Sequence, residues 1–335
     1  ILQGALFGIV LMATGSTLAI ARFLRIPGRA AGTALIFGMF MLSLLQRNRI
    51  SETARRIVDP MKKIIPAILL LTLGAMLFAA EPVKLPPKEK FHLVLLTGQS
   101  NMAGRGVVTP EDKVPHPRVL MQNKAGEWVP AVDPVHYDKS MAGVGPARTF
   151  ANLLADSDPS ITVGLVPAAC GGSPISCWEP GKKWEQTNSH PYDDAIARAR
   201  KAMQDGTLKV ILFHQGEADC GDAPSKLYHD RLLTFFKSLR TELDAPEVPI
   251  IIGQLSKFPG SKPWSEGKKR VDAAHRAMTQ ELPNVGFAES DGLTQNPDNI
   301  HFDAESQKEF GKRYYEVFRQ LRASTHATDS GASER

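Results

Sequence analysis

Cysteine is scarce in this 335-residue chain: Cys170, Cys177 and Cys220 are the whole supply. Their spacing fits no common zinc pattern, and no fourth thiolate exists to complete one. An oxidising compartment would permit one disulfide, with Cys177 and Cys220 the favoured pair and one thiol left over. A phosphate-binding loop ending in Gly-Lys-Ser/Thr is also missing, since Gly15-Ser16-Thr17 lies inside an apolar run. Clustered positive charge is absent from most of the chain as well. The first eighty residues hold nine Lys/Arg against two Asp/Glu, or +7, so the net +5 of the whole leaves about −2 for everything after them. Nucleic-acid binding needs basic groups on the folded domain itself, and that partner is thereby excluded. A near-neutral domain suits a neutral polymer or a small ester, with no metal or cofactor called for.

The composition changes near residue 80. Met61-Lys62-Lys63, an apolar run over 64–78 and then Ala79-Ala80 have the layout of a secretory signal, which predicts export to the periplasm or beyond. Residues 1–60 carry two more apolar stretches, 1–20 and 30–45, around Arg22, Arg25 and Arg29. They read either as a membrane hairpin, making 1–80 an anchor, or as upstream sequence read in frame before a true start at Met61. A signal peptide in mid-chain favours the second.

From Phe91 onward short apolar runs alternate with longer amphipathic ones, the pattern of strands joined by helices in a parallel sheet. Strands are expected at 92–96, 161–166, 209–213, 249–253 and 285–288, each apolar on both faces as in a sheet covered on both sides. Helices are expected at 146–155, 192–204, 226–243, 268–281 and 306–323, with Ser306 capping the last and Gly206 closing the second. One α/β domain over 81–323 follows, a three-layer α/β/α sandwich on a five-stranded parallel sheet. Residues 103–145 and 254–267 read as loops, and 324–335 as a polar, disordered tail. In such sheets ligands bind where loops gather at the carboxyl ends of strands.

Four segments at strand ends carry chemistry. Thr97-Gly98-Gln99-Ser100 places a serine directly after the first strand, where nearby N–H groups could stabilise an oxyanion; a helix-capping turn would look the same. Cys170-Gly171-Gly172-Ser173 follows the second strand, and its glycine pair admits close approach of a ligand to the backbone. His214-Gln215-Gly216-Glu217 follows the third, offering an imidazole, an amide and a carboxylate. Asp298-Asn299-Ile300-His301 puts a carboxylate three residues before an imidazole, close enough to fix its tautomer and leave the other nitrogen to take a serine proton. Trp178, Trp184 and Tyr192 could form a sugar-facing rim or simply pack in the core.

Together these segments resemble the SGNH hydrolase superfamily, and within it the sialate O-acetylesterase-like domain and carbohydrate esterase family 6. The resemblance rests on GQSNMAGRG at 98–106, GGSPISCW at 171–178, HQGEAD at 214–219 and DNIHFD at 298–303, and it covers nearly all of 91–322. It implies a flavodoxin-like sheet and acyl transfer through a serine. Ser100 would be the nucleophile, His301 the base and Asp298 its orienting acid, with Glu217 an open alternative for the acid. The oxyanion hole would use the N–H of Ser100, that of Gly171 or Gly172, and the side chain of Gln215. Gln99, Asn101, His214 and Trp178 are the candidate substrate-facing residues. Gln99 stands where lipase-like members carry Asp, and the large inserted domain of longer sialate O-acetylesterases is missing, so the layout looks closer to acetylxylan esterases. Acetylated polysaccharide or an acetylated sugar is the implied substrate. The competing expectations are a carbohydrate-binding protein without turnover and a membrane-anchored interaction protein.

Overall fold

The computed structural model describes residues 83–332, with side chains through 324. The signal peptide and apolar leader read at 1–80 lie outside these residues. Among the described residues no helix is long and apolar enough to cross a membrane.

Seven strands form one sheet: β1 (Phe91–Gly98), β2 (Val119–Gln122), β3 (Trp128–Pro130), β4 (Thr162–Pro167), β5 (Thr207–His214), β6 (Ile250–Gly253) and β7 (Val285–Ala288). Their order is β3-β2-β4-β1-β5-β6-β7, and every pairing is parallel except β2 with β3. The five expected strands are all there. The additional two lie in the segment read as loop: β2 is as long as β6 and β7, but it and the three-residue β3, joined by the turn at 123–127, are set among the prolines, glycines and charged residues of 103–145, which mask their apolar pattern.

The alternation along β1 explains the layers. Phe91, Leu93 and Leu95 enter one buried cluster while Val94 and Leu96 enter the other, as a period of two requires when both faces are covered. The first cluster is roofed by α3 (Pro191–Asp205), α4 (Asp222–Glu242) and α5 (Glu266–Glu281), through residues such as Ala195, Phe235 and Val271. The second is roofed by α2 (Pro146–Ser157) and α6 (Ala304–Ala332), through Phe150, Phe310 and Tyr314.

Helix boundaries follow local chemistry. Proline occupies the first turn of α2 and α3, where its missing N–H costs nothing. Gly206 closes α3, its N–H reaching the Ala202 carbonyl. The cap of α6 differs from expectation: the Asp303 carboxylate accepts the Ser306 N–H at 2.8 Å, while the Ser306 hydroxyl accepts the Thr294 N–H. An aspartate three residues earlier reaches that amide directly, so it is the cap. The same helix runs on to Ala332 through positions read as disordered, because polarity alone is no stop signal and positions 324–330 hold neither proline nor glycine. The expected disulfide does not form: all three described cysteines are free, Cys177 turned to the Lys183 carbonyl and Cys220 to that of Gly216.

Candidate active site

β1 sits between β4 and β5, and the ends of these three strands are stitched together. The Gln99 N–H donates to the His214 carbonyl and the Cys170 N–H to the Gly98 carbonyl, both at 2.8 Å. The approach requires glycine at 98: φ is +122°, and a Cβ there would stand 2.1 Å from the His214 oxygen. Past this junction the chain enters the short helix α1 (Ser100–Ala103), whose first residue is the serine. The first amides of a helix have no intrahelical acceptor, and among the described residues none is provided for the Ser100 N–H.

The loop from β7 to α6 brings the imidazole. His301 Nε2 lies 2.9 Å from Ser100 Oγ, and His301 Nδ1 lies 2.7 Å from Asp298 Oδ2. The other Asp298 oxygen accepts the N–H groups of Ile300 and His301 at 2.8 and 3.0 Å. Burial would raise this carboxyl, but the imidazole and the two amides outweigh it and hold it below the usual carboxylate range. Ser100 is only 7 % exposed, so its hydroxyl sits at the floor of the loops.

Glu217 is elsewhere. One of its oxygens accepts from Asn101 Nδ2 at 2.5 Å and stands 3.3 Å from His214 Nε2. Burial pushes this carboxyl up, yet the His214 imidazole and the Asn101 amide more than offset that and hold it at about 2. Its partners therefore exclude His301, and Asp298 is the acid that touches the imidazole. Asn101 connects the two groups: its side-chain Nδ2 donates to Glu217 and its side-chain Oδ1 accepts the Phe302 N–H at 3.2 Å, fixing the histidine loop.

Several expected ligand-facing residues point inward instead. His214 is fully buried between Phe302 and Phe310. Trp178 is buried against Phe235 and donates to the Ser173 hydroxyl, and Tyr192 packs on the same phenyl ring. Gln99 accepts from Gln215 and from the loop amides of Gly216 and Ala218. The Gln215 amide donates to Asp219 at 2.6 Å and to the Ser173 carbonyl at 3.0 Å, while its oxygen accepts from Tyr228. Two N–H bonds are thus already spent, so this side chain is no oxyanion donor. A residue at a strand end has two faces to choose between, and here the buried polar partners decide.

Two residues the sequence did not single out tie the loops together. Arg105 donates to Asp138 at 2.8 Å and to the Gly104 carbonyl at 2.7 Å, and its own carbonyl accepts from Asn296 on the histidine loop. The same Asp138 oxygen accepts the Gly171 N–H at 2.9 Å. Gly171 is thereby removed from the oxyanion hole, and Gly172, at φ +81°, keeps an N–H without an acceptor among the described residues. Arg105 was within a quoted motif, but its partner lies 33 residues on in a segment with no periodicity, so no local pattern announces the pair.

Residues 90–320 match the model of the carbohydrate esterase, sialic acid-specific acetylesterase family. A probable carbohydrate esterase of Arabidopsis thaliana is 30 % identical over 249 residues, covering 68 % of this chain and 88 % of the relative. A solved structure of an Arabidopsis thaliana protein aligns with TM-score 0.60 at 29 % identity, over 70 % of this chain and 99 % of that one. The crystal structure of NanS aligns with TM-score 0.57 at 16 % identity, over 72 % of this chain and all of the other, a likeness of fold.

Proposed function

This chain belongs to the carbohydrate esterase, sialic acid-specific acetylesterase family, and on that premise we propose that it removes O-acetyl groups from carbohydrate through Ser100, His301 and Asp298. The observation that supports the reading is the unbroken relay from Ser100 Oγ to His301 at 2.9 Å and from His301 to Asp298 at 2.7 Å. The hydroxyl oxygen attacks the acetyl carbonyl carbon as His301 Nε2 takes its proton, while Asp298 keeps the tautomer that makes this nitrogen the acceptor. The oxyanion of the tetrahedral intermediate faces the N–H groups of Ser100 and Gly172. Collapse breaks the bond to the sugar oxygen, which receives the proton from His301. Water then attacks the acetyl-serine by the same route, releasing acetate and restoring Ser100.

Acetylated xylan and acetylated sialic acid are the two substrates to separate, and residues 61–80 would deliver the enzyme out of the cytoplasm. The full chain should release acetate from at least one of them and from 4-nitrophenyl acetate, with N-terminal sequencing of the exported product starting near Glu81. No release from any of the three would overturn the reading, and a mature start within 1–60 would favour the membrane-anchored alternative.

A further inference from the structure

The glycine pair after β4 is the centre of a tight turn. The Ser173 N–H donates to the Cys170 carbonyl at 3.2 Å, and of the two central residues only Gly172 has a positive φ, +81°. That is the type II pattern, which needs glycine at its third position. The central peptide carries the Gly171 carbonyl on one side and the Gly172 N–H, the proposed oxyanion donor, on the other. A type I turn over the same four residues differs by about 150° or more in the two angles flanking this peptide. The plane is then turned over and the N–H goes to the opposite face. Two glycines resist neither form, so the choice is made from outside the pair.

Trp184 makes that choice. Its indole Nε1–H donates to the Gly171 carbonyl at 3.2 Å. In a trans peptide the C=O and the N–H point in opposite directions, so a grip on the carbonyl aims the N–H. The bond also polarises the amide and strengthens its N–H as a donor. On the preceding plane Asp138 holds the Gly171 N–H at 2.9 Å, and both peptides that meet at Gly171 are thus fastened. Trp184 is itself held. Its backbone N–H donates to the Ser189 carbonyl at 2.8 Å, closing a narrow loop whose Thr187 and Ser189 hydroxyls lie 3.0 and 3.4 Å from Cys170 Sγ. The half-buried ring packs against the first buried cluster and reaches within 3.7 Å of a Cβ built on Gly172.

The turn stands beside the nucleophile. At one end the Cys170 N–H is bonded to the Gly98 carbonyl at 2.8 Å. At the other the Ser173 carbonyl accepts from Gln215, whose amide also donates to Gln99 at 3.3 Å. Both ends are thereby tied within two residues of Ser100.

We propose that Trp184 is a positioning residue for the oxyanion hole: its indole N–H selects the form of the turn in which the Gly172 N–H faces the acyl oxygen at Ser100. The proposal rests on the esterase reading and names the group that orients one of its two donors. Trp184→Phe keeps a flat ring and removes the N–H. On 4-nitrophenyl acetate its kcat should fall about tenfold or more, with KM nearly unchanged, because a misaligned donor is missed only in the transition state. A second readout compares this ester with its thionoester, in which sulfur replaces the carbonyl oxygen and is a weak hydrogen-bond acceptor. The wild type should prefer the oxygen ester more strongly than hydroxide does, and Trp184→Phe should lower that preference by about the same factor as kcat. A loss of folded enzyme would slow both esters equally and leave the preference alone. If the phenylalanine variant does not fold, replacement of Trp184 by β-(3-benzothienyl)alanine, which has the shape of the indole without its N–H, carries the same test. An unchanged preference, or a raised KM at constant kcat as for a ring that only stacks on substrate, would overturn the proposal. A wild type inert toward 4-nitrophenyl acetate would instead remove the esterase reading, and the positioning role with it.

Discussion

At the scale of single residues, the competition between Asp298 and Glu217 is decided by which imidazole each one meets. Asp298 bonds His301, and Glu217 lies against His214. Asp298→Asn should lower kcat by about 100-fold or more, because the amide no longer fixes the tautomer that leaves Nε2 as acceptor. Glu217→Gln should act first on stability. The folded value of about 2 lies below the ordinary 4.5 of this carboxyl, so its stabilisation is complete above pH 4.5 and disappears as pH falls toward 2. Denaturant titrations should show the variant less stable by about 3 kcal/mol at pH 7, with the gap closing between pH 4.5 and 2. A constant gap would mean that the charge of Glu217 contributes nothing.

The same scale shows what was legible. Ser100 and the Asp298–His301 pair could be read because each sits within a few residues of a strand or helix boundary, and Asp-x-x-His is a local geometry. His214 and Gln215 lie at the expected strand end but face inward, and Trp178, for which core packing is the other expectation, is buried as well. Adjacency in sequence does not say whether a side chain faces the cleft or the buried network of Asp219, Ser173 and Tyr228.

At the scale of elements, the site depends on how closely β1 pairs with β5 at its carboxyl end. Gly98→Ala would place a methyl group against the His214 carbonyl at a backbone angle that L-residues avoid. Gly181 has a positive φ of 73° with nothing within 4 Å of a built Cβ, so Gly181→Ala isolates the backbone strain from the clash. Gly181→Ala should cost about 1 kcal/mol and Gly98→Ala at least ~3 kcal/mol, with loss of activity. Equal costs in thermal unfolding would show that the strand ends are not tightly joined. Five strands, buried on both faces, and five long helices are readable from period and caps, since apolar runs covered on both faces have few alternatives. The β2–β3 hairpin was not, because Trp128 and Val129 are only half-buried and carry little pattern.

At the scale of the whole molecule, the relay joins residues 201 positions apart, and no short-range pattern contains it. It arises because parallel strands deliver all their carboxyl ends to one edge, and because Arg105, Asp138 and Asn296 fasten the Ser100 loop, the glycine pair and the His301 loop to one another.

In the proposed reaction the hydroxyl at position 100 is the group that takes up the acyl unit. Incubation with diethyl 4-nitrophenyl phosphate, followed by peptide mass spectrometry, reads this directly. A single diethylphosphoryl adduct on Ser100, formed in step with the loss of acetate release and absent in His301→Ala, is the expected result; an adduct on another residue, or full activity after Ser100 is blocked, would contradict the account.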